Sequence, residues 1–155
     1  MDLFRELISV IKALKRKHYL LTGGLAYALY VQPRFTEDID FVVAEDDFED
    51  IRRRMVHRGF LDQPDNIVVF KKARIGRCVK VKGNDTIMVD FLIRPKNEFN
   101  RFYRRCNQIS YRGLKIKVIS GEDLIKLKRD RFSAQDKLDI ERLLKTLRNK
   151  VSDEK

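Results

Sequence analysis

The stretch Arg34-Phe35-Thr36-Glu37-Asp38-Ile39-Asp40-Phe41-Val42-Val43 contains a conflict. From Asp38 onward it reads as a core strand, yet two carboxylates stand at its head. Carboxylates are among the side chains least readily buried. Residues two apart on a strand share a face, so Asp38 and Asp40 project together while Ile39 enters the opposite layer. Neighbouring carboxylates repel one another and resist desolvation. Three settings tolerate them: an exposed strand end, a turn, or a pair of divalent cations lying between them. Two metals bridged by carboxylates stand about 3.5–4 Å apart, which side chains at i and i+2 can both reach.

Two other segments bear on that choice. Thr86-Ile87-Met88-Val89-Asp90-Phe91-Leu92-Ile93 has the continuous apolar character of a central strand buried on both faces. A carboxylate inside it needs a partner, either an arginine in a buried ion pair or the cations held by Asp38 and Asp40. Leu21-Thr22-Gly23-Gly24-Leu25-Ala26 places two glycines between a strand and a helix. Such a turn can simply start a helix. It can also bring backbone N–H groups close to a phosphate. Taken together, a phosphate cradle, two same-face carboxylates and a third on a nearby strand are what metal-assisted phosphoryl or nucleotidyl transfer requires.

Periodicity supplies the frame. Leu3, Phe4, Leu7, Ile8, Ile11 and Leu14 recur at helical spacing, predicting a helix over 3–17. A strand over 19–21, a helix over 25–31 stopped by Pro33, a strand over 38–43 and a helix over 47–57 follow. Strands over 67–72, 77–82 and 86–93, separated by turns at Ile75-Gly76 and Gly83-Asn84-Asp85, read as an antiparallel meander. A helix over 97–106, then a hairpin of 108–111 and 114–119 around Arg112-Gly113, come next. Ser120 caps a further helix, with Asp123 as a capping-box variant, and 134–150 forms the last amphipathic helix. The fold class is α/β (α+β): a mixed, largely antiparallel sheet with flanking helices. The length of 155 residues and the lack of a linker or repeat suit a single domain.

Composition narrows the function classes. Hydrophobic residues make up 43% of the chain, which excludes a disordered polypeptide. The sequence opens at Met1 without an apolar signal region, and no apolar run approaches a membrane span, so a cytoplasmic protein with no membrane partner is expected. Cys78 and Cys106 lack neighbouring ligands and read as reduced thiols, and His18 and His57 are equally isolated. The net charge is +11, from 34 basic and 23 acidic residues. This favours phosphate-bearing partners, though abundant charge also fits a salt-bridged thermophile surface. The charge is segregated: residues 35–50 hold eight acids and no base, 71–82 six bases and no acid, and 94–117 eight bases and one acid.

Leu21-Thr22-Gly23-Gly24, then Arg34-x-Thr36-x-Asp38-Ile39-Asp40, then Val89-Asp90-Phe91 resembles the polymerase-beta-type nucleotidyltransferase superfamily. The nearer likeness is to its small AbiEii-like members, with Leu124-Ile125-Lys126-Leu127-Lys128 as the late lysine motif. The resemblance spans about residues 20–143. It implies a nucleotidyltransferase fold that moves an NMP from an NTP to a hydroxyl of RNA, protein or a small molecule, using two Mg2+ ions, or Mn2+. It implies metal binding by Asp38 and Asp40, with Asp90 completing the catalytic site and favouring deprotonation of the acceptor. It assigns Thr22, Gly23 and Gly24 to the nucleotide phosphates. Lys128 would reach the nucleotide, or else be a solvated helix lysine, and Arg34 and Thr36 would shape the loop or touch phosphate. Gly24 replaces the serine of many relatives, and a chain this short leaves almost no room for a separate acceptor domain.

Two other functions compete. One is a non-catalytic nucleic-acid or partner-binding module, such as one half of a toxin–antitoxin pair with a cognate partner protein. The basic segments motivate it, with Phe102, Tyr103 and Tyr111 as stacking groups. The other is a metal-dependent hydrolase or nuclease, which has no need of a triphosphate cradle. If the transferase reading holds, Asp90 must lie on the strand beside Asp38 and Asp40, with Gly23 and Gly24 across the cleft.

Overall fold

The computed structural model describes residues 2–34, 36–62, 67–70, 73–131 and 133–153. Among them, β1 (Leu20–Thr22), β2 (Asp38–Ala44), β3 (Ile67–Phe70), β4 (Ala73–Lys82), β5 (Asp85–Arg94), β6 (Asn107–Tyr111) and β7 (Leu114–Val118) form one sheet in the order β3-β4-β5-β2-β1-β7-β6. The helices are α1 (Leu3–Ala13), α2 (Gly23–Tyr30), α3 (Phe48–His57), α4 (Lys96–Arg104), α5 (Gly121–Arg131) and α6 (Ala134–Asp153). Four pairings are antiparallel; β2 with β5 and β1 with β7 are parallel. The expected mixed, largely antiparallel sheet is therefore what forms.

The segment from Asp38 lies in the middle of the sheet, between β5 and β1. Phe41, Val42, Val43 and Ala44 are all buried in succession, so the strand beyond Asp40 is covered on both faces. On one face the Phe41 and Phe91 rings lie parallel with centroids 5.7 Å apart, and Phe48 of α3 reaches Phe91 at 6.2 Å. Ile51 and Met55 continue that buried stripe of α3, and α1 packs beside it. Alternation along the strands sends Asp38, Asp40 and Asp90 to the other face. There α5 lines a cleft, and α2 packs against α5, α6, β1 and β2.

The structure corrects several sequence expectations. The turn placed at Ile75-Gly76 does not exist: both residues lie inside β4, paired with Leu92 and Phe91. Gly76 marks a close approach, because a Cβ there would sit 2.1 Å from Cζ of Phe48. The helix expected over 3–17 ends at Ala13. Arg54 of α3 donates to the carbonyls of Ala13 and Lys15 at 3.2 and 2.6 Å and so caps its C-terminal end. The helix expected over 97–106 runs over Lys96–Arg104. Ser120 does cap α5, its Oγ accepting from the Asp123 N–H at 3.1 Å. The Asp123 carboxylate, however, binds Arg105 at 2.7 and 3.1 Å. Of the strand expected over 67–72, residues 71–72 lie outside the described residues, as does Phe35. Among the described residues, no helix is long and apolar enough to cross a membrane.

Candidate active site

Strand register builds the site. Thr22 pairs with Asp40 across β1 and β2, Asp40 with Asp90 across β2 and β5, and Asp90 with Arg77 across β5 and β4. One transverse rung of four strands thus carries a hydroxyl, two carboxylates and a guanidinium. Directly opposed residues present their side chains to the same face, and Asp38 follows two residues before Asp40. The expected neighbouring position of Asp90 is the one observed.

Thr22 is also the residue where β1 gives way to α2, and it makes no side-chain capping bond. Gly23 follows with φ +68°, a backbone conformation that glycine adopts without strain. A Cβ there would lie 2.2 Å from Oδ2 of Asp40. Gly23 therefore does not face the carboxylates across a cleft, as the sequence suggested, but is packed directly against one. Gly24 abuts Thr36, whose Oγ1 would be 3.0 Å from an added Cβ. The Thr36 hydroxyl donates to the carbonyl of Asp38 at 3.3 Å and ties the entering loop to the strand.

Thr22, Gly23, Asp38, Asp40, Asp90 and Lys128 all line one cleft of about 610 Å³, with Ile75 and Leu92 among its apolar walls. Arg34 and Thr36 line a neighbouring cavity of about 590 Å³ instead. Asp38 borders both. Burial pushes the Asp38 carboxyl above its usual range, and repulsion from Asp90 adds to this, while Arg77 pulls the other way.

Of the two partners that the sequence left open for Asp90, the arginine is present, and it lies beside the paired carboxylates rather than far from them. Asp90 shares the rung with Asp40, and it accepts from Nε and Nη2 of Arg77 at 2.9 and 3.1 Å. That pairing strengthens the protonated form of Arg77. Carboxylate oxygens are hard donors suited to Mg2+ or Mn2+, so the donor set fits such ions in chemistry and in facing. Among the described residues, however, no three His, Cys, Asp or Glu side chains are gathered into a ready-made ligand shell.

Lys128 is not a solvated helix lysine. Its side chain is 5% exposed, and Nζ lies 3.0 Å from Asp139 and 3.7 Å from Asp136, both on α6. Asp139 also accepts from Gln135 at 2.9 Å and takes both terminal nitrogens of Arg34, one at 2.9 Å. Burial pushes the Asp139 carboxyl up, but the bonds from Arg34, Gln135 and Lys128 outweigh it and hold the group at about 2. The Arg34 guanidinium lies 3.8 Å from the centroid of the Tyr27 ring. The two cations assigned from sequence are thus fixed by one buried acid that sequence reasoning did not single out, and Arg77 was missed with it.

A central strand headed by paired carboxylates, a third carboxylate in parallel register and a glycine-opened helix against them is the build of nucleotidyltransferase-fold proteins. Residues 7–129 match the family described as nucleotidyl transferase AbiEii toxin, type IV TA system, and the chain belongs to this nucleotidyltransferase family. Solved structures agree on the fold. A Thermotoga maritima protein assigned as a nucleotidyltransferase superposes with a TM-score of 0.62 at 19% identity, over 97% of this chain and 92% of its own. The lincosamide antibiotic adenylyltransferase LnuA, bound to lincomycin, gives 0.58 at 14%, over 90% and 94%. ANT(2")-Ia in complex with adenylyl-2"-tobramycin gives 0.59 at 14%, over 94% and 90%. No curated protein matches the chain in sequence.

Proposed function

We propose that this chain, acting as a single domain, transfers an NMP from an NTP to a hydroxyl acceptor in the cleft that Asp38, Asp40 and Asp90 share. The carrying observation is the rung Thr22–Asp40–Asp90–Arg77, which sets two carboxylates side by side at the start of α2. Asp38 and Asp40 would hold two divalent cations, Mg2+ or Mn2+, with Asp90 completing the set. Bound there, such ions neutralise the triphosphate and the charge developing at the α-phosphate.

The remaining work falls to the chain's own groups. Gly23 and Gly24 open α2, whose first N–H groups lack intrahelical partners and suit phosphate oxygens. Thr22 adds a hydroxyl at the same point. Lys128, immobilised by Asp139 and Asp136, supplies a fixed positive wall, and Arg34 and Thr36 shape the adjoining cavity. The acceptor oxygen attacks the α-phosphorus, its proton passing toward Asp90 or solvent. The bond from that phosphorus to the bridging oxygen breaks, and pyrophosphate leaves. The acceptor is RNA, a protein or a small molecule. Membership in a family described as a type IV toxin supports a toxin–antitoxin role with a cognate partner protein.

The test is incubation with each labelled NTP, Mg2+ or Mn2+, and a panel of RNA, protein and small-molecule acceptors. Label transfer by the wild type that Asp38→Ala lowers by at least about a hundredfold, the scale of losing a transition-state charge contact, is expected. Transfer undiminished in Asp38→Ala, or none by the wild type across the panel, overturns the reading.

A further inference from the structure

The Arg77–Asp90 pair occupies the position that a cation must share. Asp90 is largely buried, its side chain 11% exposed, whereas Arg77 is 44% exposed. A buried carboxylate does not persist as an uncompensated charge. Arg77 therefore serves as its counter-ion in the resting protein, and a divalent ion at the Asp90 oxygens competes with that guanidinium for the same charge. Arg77 is the member of the pair able to move: it reaches from β4 at the cleft wall, and solvent already touches it. The same cleft contains Gly23 and Lys128, the groups assigned to triphosphate. A guanidinium presents a planar fork that suits phosphate as well as carboxylate.

We infer that Arg77 is an exchangeable counter-ion that binds Asp90 before substrate arrives and passes to the nucleotide phosphates when a divalent cation takes Asp90. This deepens the nucleotidyltransferase reading and rests on it. The exchange makes metal and nucleotide bind as a coupled pair. Metal alone must pull Asp90 from Arg77 and gives the guanidinium no phosphate in exchange. Metal with triphosphate gives it a new one. Such coupling is reciprocal, so the nucleotide raises metal affinity by the factor by which metal raises nucleotide affinity.

The test is Mn2+ binding measured by titration calorimetry and by electron paramagnetic resonance, with and without an α,β-methylene NTP analogue that cannot react. Wild type, Arg77→Gln, Arg77→Lys and Asp40→Asn are compared, and circular dichroism verifies that each is folded. In Arg77→Gln, Mn2+ alone is expected to bind about tenfold tighter than in wild type, with the enhancement by nucleotide largely lost. Arg77→Lys should keep part of the enhancement, because a point charge serves both anions without the fork. Mn2+ affinity in Arg77→Gln equal to or weaker than that of wild type overturns the exchange. If Mn2+ still binds wild type in a manner abolished by Asp40→Asn, that failure leaves the nucleotidyltransferase reading standing. If Mn2+ binds wild type neither alone nor with the analogue, both fall.

Discussion

Asp38 stands at the point where an apolar strand meets the cleft, and its chemistry reflects both sides. Burial and the Asp90 charge raise its proton affinity. A carboxyl whose folded pKa exceeds its unfolded value holds more protons in the native state than in the unfolded one. Stability therefore falls as pH rises through that window and stays lower above it. The ionised Asp38 is thus a destabilising group in the metal-free protein near neutrality. Asp38→Asn is expected to raise the melting temperature of the metal-free protein at pH 7 and to remove transfer activity. Its advantage over wild type should shrink as pH falls and the native carboxyl of wild type takes up its proton. Thermal melts across pH, with chelator present, check this. A melting temperature lowered at pH 7 would show Asp38 to be a structural acid. A raised melting temperature in Asp38→Asn would show that Asp38 is retained at the head of a core strand at a cost to stability.

At the level of elements, strand β4 shows how much the chain discloses about itself. Ile75-Gly76 resembles a turn because a glycine between two strand-like runs is a common break. Here the glycine lies inside the strand because Phe48 of α3 occupies the space where a side chain would stand. That reason is tertiary and no local window contains it. Arg77 was within reach: the two-residue turn Gly83-Asn84 pairs Lys82 with Asp85, and equal steps back along both strands bring Arg77 to Asp90. Assigning a three-residue turn hid this register. The parallel pairing of β2 with β5 and the closure of Asp139 on Arg34 and Lys128 join residues distant in sequence, and no local pattern encodes them. The motifs did place Asp38, Asp40, Asp90, Thr22 and Gly23 on one cleft, because Thr22, Gly23 and Asp38 sit at strand or helix termini that local signals mark and Asp90 is a lone charge inside an apolar strand. For β4, Gly76→Ala is expected to cost about 1–3 kcal/mol by overpacking against Phe48. In a chain of this size that lowers the melting temperature by about 2–4 °C per kcal/mol. Combining it with Phe48→Leu should recover part of the loss, since the two residues touch and their effects are not additive. Purely additive losses in denaturant titrations would place the defect elsewhere.

Across the whole molecule, the cleft depends on a helix beyond the matched family segment, which ends at residue 129. Asp139, on α6, secures Lys128 of α5 and Arg34 of the loop entering β2. This one acid links three parts of the chain, and its folded carboxyl titrates at about 2 against a usual value of 3.8. A depressed carboxyl contributes stability that is complete above the unfolded value and disappears as pH falls through the folded one. The difference corresponds to about 2 kcal/mol, and the side chain is only 1% exposed, so solvent screening removes little of it. The molecule also carries a net charge of +11, so protonating its carboxylates adds general repulsion to any acid unfolding. A single acid titration of wild type would not separate the two effects. The difference between wild type and Asp139→Asn does, because the general repulsion is nearly common to both. That difference should be about 2 kcal/mol at pH 7, decline from about pH 4 and vanish near pH 2, by urea unfolding at each pH. A difference independent of pH would mean that Asp139 acts through packing alone. Lys128 would then owe its place to Asp136.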